Sequence, residues 1–142
     1  MKREITITIK NRYTGRVIFE YSCVDNTDAK TVEEAVSRGI SLQDAFLPEV
    51  NLYRADLHGA DFRGANLYGS VLRMADCRDA DFSKANLFKT DFYGADLSGA
   101  DFRDSTLYES DLRNADFTGS YFHGANLNGA RLDESSLQDA NL

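Results

Sequence analysis

From Leu42 to Leu142 the chain is apolar at every fifth position, and the register never slips. Of these 21 positions, 14 are Leu, six are Phe and one is Cys77. Two residues before each stands Ala in 13 units and Ser in five, with Ile40, Val50 and Thr90 in the rest. The residue between the two is Asp in nine units and Asn in five. A unit therefore runs small, Asp or Asn, Leu or Phe, then two variable residues, as in Ala60-Asp61-Phe62-Arg63-Gly64. A strand alternates faces with a period of two, so a five-residue unit cannot carry that alternation across its own boundary. The first and third residues point inward, and a bend must absorb the surplus residue. Such a unit buries nothing alone and needs its neighbours stacked on it.

Eight of the 10 glycines occupy the fifth slot, where a bend with positive φ favours them. The length of a turn follows from the phenylalanines. Phe62, Phe82, Phe102 and Phe122 recur every 20 residues, which is four units and hence four sides. They form one interior column, with Leu42 and Leu142 at its ends. Leu47, Leu67, Leu87, Leu107 and Leu127 form the column on the next side. About five coils at the usual strand spacing make a rod on the order of 25 Å long.

The repeat from Ile40 to Leu142 closely resembles the bacterial pentapeptide repeat proteins. The resemblance implies an all-β solenoid, a right-handed quadrilateral β-helix; its hand comes from the resemblance alone.

Residues 1–39 read as an N-terminal cap on the 40–142 repeat domain. Ile5, Ile7 and Ile9 alternate with polar residues, and Val17, Phe19, Tyr21 and Cys23 alternate on the return, so residues 4–23 predict a β-hairpin. Asn11 to Gly15 supply its turn. A short helix follows, with Asp28 as N-cap or Thr31 and Glu34 as a capping box. Ala29, Val32, Ala35, Val36 and Ile40 share its apolar face, and Gly39 ends it. The cap is expected to cover the first coil and shield its strand edges.

Composition narrows the function. The net charge is −7. Residues 1–39 hold seven Lys/Arg against six Asp/Glu, and residues 40–142 hold nine against 17, so the rod carries the acidity. An acidic rod is a poor direct partner for nucleic acid. No apolar run reaches the ~20 residues of a membrane span, and the N-terminus lacks the apolar core of a signal peptide, so a cytoplasmic location is expected. Cys23 and Cys77 have no metal-ligand spacing, and Cys77 fills an inward slot. His58 and His123 fall on different columns. No Ser-His-Asp set or Gly-rich phosphate loop occurs. The reading is of a protein with no catalytic residue, cofactor or metal. A regular Thr array, which an ice-binding face would want, is absent.

Two outer features remain. Asp56, Asp76, Asp96 and Asp116 form one column and Asp61, Asp81 and Asp101 another; they can bond the local backbone or present a charged surface. In the fourth slots, one side reads Pro48, Tyr68, Phe88, Tyr108, Asn128, and the next reads Tyr53, Arg73, Tyr93, Arg113, Asp133. Tyr53, Tyr68, Arg73, Phe88, Tyr93, Tyr108 and Arg113 are thus a candidate contact surface for a protein partner, or a self-stabilising ladder. The leading functional reading is a scaffold or protein-interaction module. The alternative, drawn from the quinolone-resistance type within the family it resembles, is an acidic DNA mimic that binds DNA gyrase. Arg63, Arg73, Arg78, Arg103 and Arg113 interrupt the negative surface that this alternative needs. Finally, Phe122, Leu127, Leu132, Leu137 and Leu142 are expected to line an apolar end through which two copies form a homodimer.

Overall fold

The computed structural model describes all residues from Met1 to Leu142. Two strands, β1 (Glu4–Lys10) and β2 (Val17–Val24), form an antiparallel hairpin, and one helix, α1 (Asp28–Ser37), follows. The rest is a four-sided coil. Its bridges are parallel and join residues 20 apart, from Phe46 with Asn66 to Tyr121 with Asn141. The 20-residue turn predicted from the phenylalanines is the turn observed.

Backbone hydrogen bonding explains the unit slot by slot. The third-slot amide donates to the coil after it, as Leu42 does to the Asp61 carbonyl at 2.8 Å. The fifth-slot amide does likewise, Asp44 to Arg63 at 2.8 Å. The second-slot amide donates to the coil before it, Asn66 to Ala45 at 2.8 Å. The first-slot amide closes the turn, Ala45 to Leu42 at 3.0 Å. Within the stacked coils the fourth-slot amide is the one that regularly lacks a backbone acceptor. In all 13 Asp and Asn units from Asn51 to Asn126, the second-slot side-chain Oδ1 accepts from it. Asp and Asn stand in this slot because a short acceptor two residues upstream completes the turn. The one proline fits the same rule. Pro48 has no amide to satisfy, and it follows Phe46, which has no acceptor to offer.

Every fifth slot bends with positive φ, including 12 that are not glycine, among them Lys84 and Met74, both at 59°. The expectation that glycine marks the bend is therefore too narrow. Side chains accept the left-handed conformation here because the inter-coil bonds on both sides of the turn impose it. Several glycines have a second use: the Asp44 carboxylate lies over Gly64 and the Met74 sulfur over Gly94, where a Cβ would collide.

Inside, Phe62, Phe82, Phe102 and Phe122 stack nearly parallel, with centroids 5.2, 5.3 and 5.1 Å apart. Phe92 and Phe117 meet this column edge-on from other sides. First-slot hydroxyls are buried without penalty, since Ser70 and Thr90 each donate to a carbonyl of the preceding coil and Ser105, Ser110 and Ser120 to their own turn.

The cap joins this core through Ile9, Phe19, Val32 and Ala35. After β1, the chain pairs with the first coil: Phe46 donates to the Lys10 carbonyl at 2.8 Å and Arg12 to that of Asp44 at 2.7 Å. Two local expectations change. A bulge opposite Ile9 and Lys10 breaks the alternation of β2, so Val17 turns out to solvent instead of sharing a face with Phe19. The N-cap of α1 is Thr27, whose hydroxyl accepts from the Lys30 amide; Asp28 is the first helical residue. Thr31 is buried and donates to the Asn26 side chain, so it forms no capping box.

Phe102 touches four other rings, and Phe102→Ala should cost about 3–5 kcal/mol in chemical denaturation. Gly119 has open space around its Cβ position, so Gly119→Ala isolates the conformational cost and should lose about 1 kcal/mol. Lys84→Gly should gain about 0.5–1 kcal/mol, because it relieves the same cost and gives back part in chain entropy.

Candidate interaction surface

The outer surface repeats the logic of the core. Like slots of successive coils lie one strand spacing apart, so side chains stack. On the second side, Tyr68, Phe88 and Tyr108 form a column, with centroids 5.4 and 5.3 Å apart. The Lys89 ammonium lies over the Phe88 ring at 5.1 Å. On the third side, Tyr93 is held between two guanidinium groups, Arg73 at 4.6 Å and Arg113 at 5.4 Å. Each arginine is itself anchored, Arg73 to Asp91 and Arg113 to Asp111. Tyr53, at the cap end of that side, has Arg54 over its ring.

The stacking alters one expectation. An outer slot implies exposure, and Tyr53 and Tyr108 are exposed, at 49% and 39%. Tyr68, Arg73, Phe88, Tyr93 and Arg113 are only half-buried, because coil neighbours cover their faces. Phe88 is an inner rung of the ladder, not a freely exposed ring. All seven residues fall on two adjoining sides, as the columns predicted. The arginine sandwich itself was not legible, since a column order does not say which way long side chains fold.

On the other two sides the acidic columns are partly neutralised. Asp61, Asp76 and Asp101 each form a paired contact with the arginine two residues on, and Asp111 on the third side does the same with Arg113. The side-chain bonds from those arginines hold the Asp76, Asp101 and Asp111 carboxyls below their ordinary range, and Arg63 with Ser41 brings Asp61 to about 2. His58 lies 3.4 Å from Asp79. Burial pushes the Cys77 thiol up, consistent with a packing role. No cluster of three metal-ligating side chains occurs, and no helix is long and apolar enough to cross a membrane.

At the far end of the rod, Leu127 and Leu132 are half-buried, and Leu137 and Leu142 are 36% and 71% exposed. Phe122 lies one layer in, at 3%, with its amide bonded to the Asn141 carbonyl, so it does not surface with the other four. The amides of Leu127, Leu132 and Leu137, whose counterparts in earlier coils bond the next coil, have no backbone acceptor.

The aspartate–arginine pairs set an acid limit. A carboxyl whose folded pKa is depressed adds stability that is present above its unfolded pKa and lost as pH falls through the folded value. The melting temperature should therefore stay level down to about pH 5 and fall from about pH 4 to pH 2. Asp61→Asn keeps the acceptor for the Arg63 amide and should flatten part of this fall; Asp61→Ala should also lower stability at pH 7.

Comparison with known proteins agrees with this geometry. The model of the pentapeptide repeats matches residues 38–142 in overlapping segments, with eight copies. Among solved structures, HetL, a pentapeptide repeat protein involved in heterocyst differentiation regulation from the cyanobacterium Nostoc sp. strain PCC 7120, is 29% identical with a TM-score of 0.55, over 70% of this chain and 50% of HetL. The pentapeptide repeat protein alr5209, also from Nostoc PCC 7120, is 33% identical with a TM-score of 0.50, over 72% of this chain and 74% of that one. Rfr23 from the cyanobacterium Cyanothece 51142 is 28% identical with a TM-score of 0.40, over 65% and 63%. The chain thus spans half the length of HetL and about three quarters of alr5209. A sequence comparison with curated proteins gives no match. Eight repeat copies, a 20-residue four-sided turn and the likeness to HetL and alr5209 make the chain a member of the pentapeptide repeat family, with its right-handed quadrilateral β-helix.

Proposed function

We propose that this protein is a non-enzymatic interaction module that binds a protein partner through the second and third sides of its rod. The arginine–tyrosine–arginine sandwich carries this reading. Arg73, Tyr93 and Arg113 are already stacked, next to the Tyr68, Phe88 and Tyr108 column. Aromatic and arginine side chains dominate interface energetics, and side chains already ordered lose little entropy on binding. Tyr53 and Tyr108 keep the most exposed ring area for a partner. HetL, to which the chain is similar, is a protein of regulation, a role suited to a binding surface. The exposed Leu127, Leu132, Leu137 and Leu142 end supports a second partner, another copy of the chain joined end to end.

The DNA-mimic alternative is weaker on this surface. It needs a continuous negative face, and the carboxylates of Asp61, Asp76, Asp101 and Asp111 are each spent on a neighbouring arginine.

Affinity capture with wild type and with a Tyr53→Ser, Tyr108→Ser variant tests the proposal. Both rings are peripheral, so the circular dichroism and melting temperature should change little, while a specifically captured protein should be lost. A partner retained at full yield by the variant overturns the assignment to these sides. Purified DNA gyrase held by both proteins alike would support the mimic instead. Leu137→Glu with Leu142→Glu should lower the mass seen by light scattering if copies join at that end.

A further inference from the structure

We infer that the hairpin carries a second self-association site, the free edge of β1, which pairs antiparallel with β1 of another copy about a two-fold axis at Thr6. The strand register shows which backbone groups are free. The Asp25 amide donates to the Arg3 carbonyl, and antiparallel alternation then turns the backbone groups of Ile5, Ile7 and Ile9 toward β2. Those of Glu4, Thr6 and Thr8 point to the other side. The next residue in that series, Lys10, gives its carbonyl to Phe46, so the first coil occupies the edge there and nowhere earlier. Three consecutive outward residues are left without a backbone partner.

The sequence of this edge fits itself. In β1, Glu4-Ile5-Thr6-Ile7-Thr8-Ile9-Lys10, charge of opposite sign ends a strict alternation of Ile and Thr. Because Phe46 blocks the edge at Lys10, the partner strand must stop short of it, which selects the register centred on Thr6. Thr6 then faces Thr6, and Glu4 faces Thr8 in both directions, using all three free residues of each strand. Glu4 sits diagonal to the partner's Lys10, within reach of long side chains. On the inner face Ile5 meets Ile7. Ile5 is 40% exposed and Ile7 half-buried, although the equivalent Ile9 is buried at 2%. Beneath this stretch lies a groove of about 310 Å³ lined by Ile7, Val32, Phe46, Pro48 and Val50. A long edge strand without charge at its centre, a proline or a cover is what proteins otherwise avoid; Thr6 and Thr8 leave this one open.

The test uses the full chain with Leu137→Glu and Leu142→Glu, so that association at the far end does not interfere, and with Cys23→Ser. At about 100 µM, enough to populate a small interface, light scattering should give twice the 15.9 kDa monomer mass. Thr6→Pro removes an amide that has no partner inside the chain and should give a monomer with an unchanged circular dichroism spectrum. Under mild oxidation Thr6→Cys should form an interchain disulfide, since directly paired residues lie about 5.5 Å apart. Thr8→Cys, opposite Glu4, should not. A monomer mass with no Thr6→Cys cross-link overturns the proposal, as does a dimer that survives Thr6→Pro. If Thr6→Pro unfolds the chain, the two cysteine variants decide alone: cross-linking at both positions or neither is the failing result.

Discussion

The whole rod depends on finding an acceptor for each amide of a five-residue unit. Four of the five amides bond backbone, three of them between coils and one within the turn, and the fifth is met by a side chain wherever Asp or Asn stands two residues upstream between Asn51 and Asn126. The unit can stack only in a four-sided coil in which residues 20 apart are neighbours. Buried backbone groups without partners are costly, so this accounting leaves little freedom. It favours Asp or Asn in the second slot, tolerates Pro48 where Phe46 offers no acceptor, and forces a left-handed residue at every bend. The 12 bends without glycine show that the inter-coil ladder outweighs a local cost of ~1 kcal/mol each.

Once the coil is closed, everything else is stacking. Identical slots meet at strand spacing, so a residue type repeated every 20 positions becomes a column. Inside, that yields a phenylalanine stack with edge-on contacts from Phe92 and Phe117. Outside, it yields an aromatic ladder on one side and a cation–π sandwich on the next. The same geometry that strengthens the sheet orders the surface in advance of any partner. The half-buried state of Phe88 and Tyr93 is the physical signature of this stacking.

Ends are the exception to this economy. A solenoid has no neighbour beyond its first and last coils. At the first coil, the hairpin and α1 supply one: Ile9, Phe19, Val32 and Ala35 extend the core, and Lys10 and Arg12 extend the ladder. That solution moves the open edge to β1, whose outward backbone groups face solvent. At the other end the leucines of the last coil show rising exposure toward Leu142.

The repeat, its period, the four-sided turn and the composition of each column were legible in the sequence, because a five-residue register read over 21 units admits one closed stacking. The local backbone role of the second-slot Asp and Asn was legible as one of two readings, and bonding to the fourth-slot amide is the role the structure shows. The cap was legible as a hairpin and a helix, since alternation and helical spacing are local signals. Its N-cap at Thr27 and the bulge at Val17 were not, because both depend on how the cap settles on the first coil. Nor could the sequence show that Arg73 and Arg113 close on Tyr93, that Met74 lies over Gly94, or that Phe46 ends the free edge of β1. Those outcomes depend on the direction of long side chains and on contacts between segments far apart in the chain. Periodicity decides which residues are neighbours; only the packed structure decides how neighbours meet.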